Sequence, residues 1–179
     1  MKITVFGGAK TLPGEFAYTE AYQLGKLLGE AGHTILTGGY SGTMEAVSHG
    51  ASESGAHVIG VTCDEIEKWR PTDANTWVIE EWRKSTLTER MMTLITSCDT
   101  AIALPGGVGT FTEILVHWNQ LLLGIITQPP LILIGDDWRQ VIEIFGEKQN
   151  NYLRGNEWQF IKFAANVEEA YRLMEETNG

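Results

Sequence analysis

Ala101-Ile102-Ala103-Leu104-Pro105-Gly106-Gly107-Val108-Gly109-Thr110-Phe111-Thr112-Glu113 changes character twice. It begins as a short apolar run suited to a buried strand. It breaks at Pro105 and at three glycines, then restarts at Thr110-x-x-Glu113, followed by Ile114, Leu115, Trp118, Leu121 and Leu122. Those last positions share one face of a helix. The stretch therefore predicts strand, glycine turn, helix. Glycine lets backbone approach a ligand closely, and a helix start offers unpaired N–H groups and the positive end of its dipole. Gly106, Gly107, Val108, Gly109 and Thr110 are thus candidate main-chain ligands for a phosphate. Thr110-x-x-Glu113 also has the spacing of a capping box, in which threonine and glutamate satisfy each other's backbone N–H. A capping box does not require Pro-Gly-Gly-x-Gly ahead of it. Three glycines cost roughly 0.5–1 kcal/mol each where they are not needed, which favours a functional turn.

The same alternation extends in both directions. Residues 2–6 read as a first strand ended by Gly7-Gly8, and residues 16–31 as a helix with Leu24, Leu27, Leu28 and Ala31 on one face. Residues 33–37 read as a second strand running into Gly38-Gly39-Tyr40-Ser41-Gly42, and residues 43–54 as a helix of small residues. Residues 57–61 form a third strand, 62–75 an irregular acidic stretch and 76–80 a further strand. Thr86-x-x-Glu89 is a capping box that opens a helix to about residue 97. Strands at 130–134 and 160–164 and helices at 137–146 and from Val167 onward complete the pattern, with a polar loop at 149–158. Strands alternating with helices predict an α/β protein: a doubly wound, Rossmann-like parallel sheet covered on both faces, as a single domain over residues 1–179.

Ligands of such sheets bind beyond the carboxyl ends of the strands. The turns at Gly7-Gly8, at Gly38-Gly39 and at 106–109 all fall at that edge, so Gly7, Gly8, Gly38 and Gly39 join the candidate binding residues. None of the turns has the spacing of a dinucleotide fingerprint or a P-loop, so neither NAD binding nor ATP hydrolysis is expected.

Composition narrows the function further. At 179 residues, 43% hydrophobic and 20% charged, the chain suits one soluble globular domain. No apolar run reaches the ~20 residues of a membrane span. The N-terminal apolar run is too short for a signal peptide, so a cytoplasmic protein is expected. A net charge of −10 with no basic run argues against extended nucleic-acid binding. Cys63 and Cys98 lack a redox or zinc spacing and read as packed free thiols. His33, His49, His57 and His117 are scattered, so no metal site is expected. His117 stands four residues beyond Glu113 and is read as a packed histidine. Trp118 and Trp138 are read as core residues. Trp69 and Trp82 flank the irregular stretch and are read as lid or dimer contacts.

With these pieces assembled, the chain resembles the LONELY GUY (LOG) family, long labelled "possible lysine decarboxylase". The resemblance rests on Pro105-Gly-Gly-x-Gly-Thr-x-x-Glu113, on Glu89-Arg90 in the preceding helix, on Gly38 to Val47 and on Val58-Ile59-Gly60-Val61. It covers residues 2 to about 134. Met91 stands where the family usually carries lysine, and Gly8-Ala9-Lys10 where relatives often carry serines. No lysine sits in a cofactor motif, so pyridoxal chemistry is rejected and no cofactor is expected. The resemblance implies a nucleoside 5′-monophosphate phosphoribohydrolase, splitting AMP or an N6-substituted, cytokinin-type AMP into free base and ribose 5-phosphate. It also implies a homodimer with sites near the subunit interface.

Glycosidic cleavage develops positive charge on the ribose, and a nearby carboxylate stabilises that charge and positions water. Glu113 is the candidate carboxylate. Arg90 is the candidate partner, holding Glu113 ionised or binding the phosphoryl or ribose side; the alternative for it is a solvated helix-surface arginine. The runner-up function is a non-catalytic carrier of a nucleotide or of a phosphorylated cofactor such as molybdenum cofactor, motivated by Met91 and the altered first turn. A DNA-processing module on the same fold has only fold analogy behind it.

Overall fold

A computed structural model describes residues 1–178. Seven strands form one parallel sheet: β1 (Lys2–Phe6), β2 (Thr34–Thr37), β3 (Val58–Cys63), β4 (Glu80–Lys84), β5 (Thr100–Ala103), β6 (Leu131–Ile134) and β7 (Ile161–Ala164). Their order is β4-β3-β2-β1-β5-β6-β7. The helices are α1 (Phe16–Glu30), α2 (Thr43–Glu53), α3 (Asp64–Trp69), α4 (Leu87–Thr96), α5 (Val108–Leu122), α6 (Asp136–Lys148) and α7 (Val167–Asn178). The doubly wound α/β expectation holds.

Side chains alternate along each strand and so supply two cores. Ile3, Val5, Ile35, Val58, Ile102 and Ile134 pack with α1, α2 and α7. Phe6, Leu36, Ile59, Val61, Ala101 and Leu133 pack on the other face with α4, α5 and α6. Strand order reverses direction at β1, which pairs with β2 through Lys2↔Thr34 and with β5 through Phe6↔Ala103. The crevice beyond β1 and β5 is the place where such sheets bind ligands. Trp118 and Trp138 are core residues as expected, each 6% exposed. Both cysteines are free and buried.

Two sequence expectations need correction. The irregular stretch after β3 contains α3, a six-residue helix with no buried face and hence no apolar period to read. It is held by charge: Arg83 donates to Asp64 at 2.7 Å and also pairs with Glu67, while Glu65 accepts the Leu87 N–H at 2.7 Å. The strand expected over 76–80 lies instead at Glu80–Lys84. Trp77-Val78-Ile79 looks like a strand, but Asn75 turns the chain there. Its side-chain oxygen accepts the Trp77 N–H at 3.1 Å and its carbonyl accepts that of Val78 at 3.2 Å. The true strand is a charged edge strand, whose exposed face tolerates what a central strand would not. Trp82 therefore lies on β4, where Lys2 covers its ring.

Candidate active site

The glycine turns after β1 and β2 form one unit. The Gly8 carbonyl accepts the Thr43 N–H at 2.9 Å and its hydroxyl at 3.1 Å, and Ser41 Oγ donates to the Ala9 carbonyl at 3.2 Å. Gly42 makes this possible, with φ of +81° and no room for a Cβ against Gly8 and Ala9. On the other side Gly8 packs on Gly106, where a Cβ would sit 3.3 Å from the Gly106 Cα. Gly7, Gly8, Gly42 and Gly106 thus meet at one point beyond β1 and β5.

At α5 the capping-box reading fails. The N-cap is Gly107 and receives no side-chain cap. Thr110 folds back on Gly106 instead, and the first intrahelical bond runs from Phe111 N–H to the Gly107 carbonyl at 3.0 Å. The N–H groups of Val108, Gly109 and Thr110 precede that bond and have no helical acceptor. The turn from Pro105 to Gly109 is exposed, and a Cβ on Gly107 or Gly109 would meet nothing within 4 Å. Donors, helix dipole and open approach coincide there. By contrast, the capping box at Thr86 and Glu89 is present at the start of α4.

Freed from capping, Glu113 faces Arg90: Nη1 lies 3.5 Å from Oε1, with the side chains 6% and 12% exposed. Arg90 is therefore no surface arginine. Its Nε donates to the Val61 carbonyl at 2.7 Å and its Nη2 to the Gly38 carbonyl at 3.0 Å, beside Met44 Sδ at 3.9 Å. Its guanidinium is committed to the protein, which favours partnership with Glu113 over a direct grip on phosphate. Gly38 and Gly39 are buried. A side chain at Gly38 would collide with Arg90 and Met44, and one at Gly39 with β3 at Gly60. These two glycines admit neighbours of the protein itself, whereas Gly107 and Gly109 face outward.

Burial pushes the Glu113 carboxyl up to about 7, with the Arg90 cation pulling only partly against it. Its proton is therefore exchangeable near neutrality. His117, one turn further along α5, is fully buried against the Phe6 ring with neither nitrogen hydrogen-bonded. Burial lowers its pKa to about 4 and keeps it neutral. It is the packed histidine that was expected. Met91 is partly buried against the apolar cluster beneath α4, so Arg90 is the cation that meets Glu113. Trp69 is 81% exposed. Sequence reasoning missed Tyr40. Its ring lies under the Arg90 guanidinium, 5.6 Å from the ring centre. The available signal was an aromatic residue set among glycines in a tight turn. Among the described residues no cluster of three or more His, Cys, Asp or Glu side chains could hold a metal ion, and no helix is long and apolar enough to cross a membrane.

A family model for SLOG cluster4 matches residues 1–155. The chain belongs to the SLOG cluster4 family. Two Arabidopsis thaliana relatives bear out the LOG resemblance. Cytokinin riboside 5′-monophosphate phosphoribohydrolase LOG7 is 30% identical over 98% of this chain and 81% of its own length. The phosphoribohydrolase LOG2 is 29% identical over 98% and 83%. Among solved structures, the molybdenum cofactor binding protein from Rippkaea orientalis superposes with a TM-score of 0.76 at 26% identity, over 99% of this chain and 97% of that one. This SLOG family fold thus serves relatives named as enzymes and a relative named as a cofactor binder.

Proposed function

We propose that this SLOG protein is a nucleoside 5′-monophosphate phosphoribohydrolase, hydrolysing AMP or an N6-substituted, cytokinin-type AMP to free base and ribose 5-phosphate. The observation that carries the proposal is Glu113: a carboxylate 12% exposed, beside a buried cation, on the helix that begins with the open glycine turn. The N–H groups of Val108, Gly109 and Thr110, with Gly106 and Gly107, hold the 5′-phosphate. Gly7 and Gly8 form the adjoining wall. Glu113 lies five residues along α5 from Val108, about 7.5 Å of helix rise. Water attacks C1′ as the C1′–N bond breaks. Glu113 stabilises the positive charge on the sugar and accepts the proton of the water; the departing base leaves with the bonding pair and takes up a proton from solvent, and Glu113 returns its own proton to solvent. Arg90 keeps a fraction of Glu113 ionised despite its burial. The names of the two Arabidopsis relatives support the cytokinin-type substrate. A homodimer belongs to the same proposal, supported by Leu87 and Val108, exposed at 48% and 86% at the starts of α4 and α5, and a cytoplasmic location is proposed with it. Release of free base from nucleoside monophosphates, measured by chromatography, tests the proposal.

A second reading, a carrier of a nucleotide or a phosphorylated cofactor, is favoured by two observations. One is the structural likeness to the Rippkaea orientalis protein. The other is the apolar setting of Met91. Its test is retention of intact ligand with no turnover.

A further inference from the structure

Arg90 reaches Glu113 with only one corner of its fork. The Val61 and Gly38 carbonyls take Nε and Nη2, which sets how far the side chain extends. Two bonds along one edge leave the plane of the guanidinium free to tilt, and tilt decides whether Nη1 arrives at 3.5 Å from Oε1 or swings away. A surface under the guanidinium is needed to fix that plane. Tyr40 supplies it, with its ring centre 5.6 Å below Cζ, within the range of a cation–π contact.

The ring is itself anchored without help from Arg90. Tyr40 is 1% exposed. Its hydroxyl accepts the Cys63 N–H at 2.8 Å and shares its hydrogen between the Cys63 carbonyl and Glu67 Oε1, each at 3.2 Å. Glu67 is held in turn by Arg83 from β4. The neighbouring backbone is shaped for the ring: Gly39 has φ of +79°, and Asn75 donates to the Gly39 and Tyr40 carbonyls at 3.1 Å each. A tyrosine pinned at its backbone and at its hydroxyl is a rigid platform.

We propose that Tyr40 is a positioning residue: its anchored ring holds the Arg90 guanidinium in the plane that presents Nη1 to Glu113. Only the kinetic consequence rests on the hydrolase reading. The geometric claim stands or falls without it.

The test uses the full-length protein with selectively 13C-labelled glutamate and 15N-labelled arginine, observed by NMR. In Tyr40→Leu the guanidinium loses its platform, the cation's pull on Glu113 weakens, and the Glu113 titration midpoint rises by about one pH unit. Tyr40→Phe keeps the ring but loses its hydroxyl anchor, so its midpoint rises by less than half as much as that of Tyr40→Leu. Leu28→Ala, a cavity in the opposite core cluster, matches the loss of thermal stability and leaves the midpoint in place. A midpoint unmoved or lowered in Tyr40→Leu overturns the proposal. Should Tyr40→Leu fail to fold, the wild type decides. A held guanidinium over a ring gives resolved, ring-shifted Arg90 Nε–H and Nη resonances, whereas averaged resonances at free-arginine positions overturn the proposal. If base release is present, Tyr40→Leu lowers kcat several-fold with KM nearly unchanged, and moves the acid limb of the pH profile with the Glu113 midpoint. A moved midpoint with no base release from wild type leaves Tyr40 in its role and removes the hydrolase reading.

Discussion

Glu113→Gln should make the protein inactive and, above neutrality, more stable. Burial holds the Glu113 carboxyl near 7 against an ordinary value of 4.5. A carboxyl shifted upward binds more protons in the folded chain than in the unfolded one, so stability falls as pH climbs from about 4.5 through about 7. The shift corresponds to about 3 kcal/mol at about 1.4 kcal/mol per pH unit, reached in full above pH 7. Glutamine is nearly isosteric, carries no charge and still offers an oxygen to Arg90 Nη1, so the variant avoids the cost of a buried anion and keeps a partner for the cation. The expected gain over wild type is under about 1 kcal/mol at pH 5 and about 3 kcal/mol near pH 8.5. At the alkaline end it amounts to about 6–12 °C in Tm for a chain of this size. Urea titrations of both proteins at matched pH, followed by tryptophan fluorescence, measure it. A Gln variant less stable than wild type at pH 8.5, or a difference that does not change with pH, would refute the reasoning. The first result would mean that Arg90 stabilises the anion more than burial penalises it, and the second that the two effects balance.

Three further outcomes follow from the same geometry. If Glu113 is the base, base release rises with pH and levels off above about 7, and a rate flat across that range excludes it as the titrating group. His117→Leu should be more stable than wild type by a margin that grows as pH falls from about 6.5 towards about 4, because the buried imidazole must stay neutral while the unfolded one takes a proton. Urea midpoints at a series of pH values check this, and a constant margin contradicts it. Gly107→Ala should leave stability unchanged or raise it by up to about 1 kcal/mol, since a Cβ there meets nothing within 4 Å and φ is −94°. It should weaken nucleotide affinity at least several-fold, as read by calorimetry, because the methyl group intrudes on the ligand's side of the turn.

Periodicity made most of the fold legible. Ile3, Val5, Ile35 and Leu36 announce central strands because both faces of the sheet are covered, and Leu24 and Leu28 announce α1 because one stripe is buried. The β3–α4 region was misread for the converse reason. α3 buries nothing, and β4 is an edge strand written in charge, whereas Trp77, Val78 and Ile79 are apolar without being sheet. Local spacing alone could not separate a capping glutamate from one that faces a buried arginine. At Thr86 and Glu89 the box forms; at Thr110 and Glu113 it does not, because Gly107 is the N-cap and Arg90 reaches across from α4. Arg90 itself sits in a sequence that reads as an amphipathic surface helix. Its burial is a product of tertiary structure, with acceptors 29 and 52 positions away in the chain.

Hydrolase and carrier are separated by incubating the purified protein with AMP and N6-isopentenyl-AMP, with products separated by chromatography, beside Glu113→Gln and Arg90→Ala. Free base and ribose 5-phosphate are expected in equal amounts from wild type, with at least a hundredfold less from either variant, consistent with loss of a group acting in the transition state. Nucleotide recovered intact from wild type, bound and unhydrolysed, would contradict the hydrolase and establish the carrier.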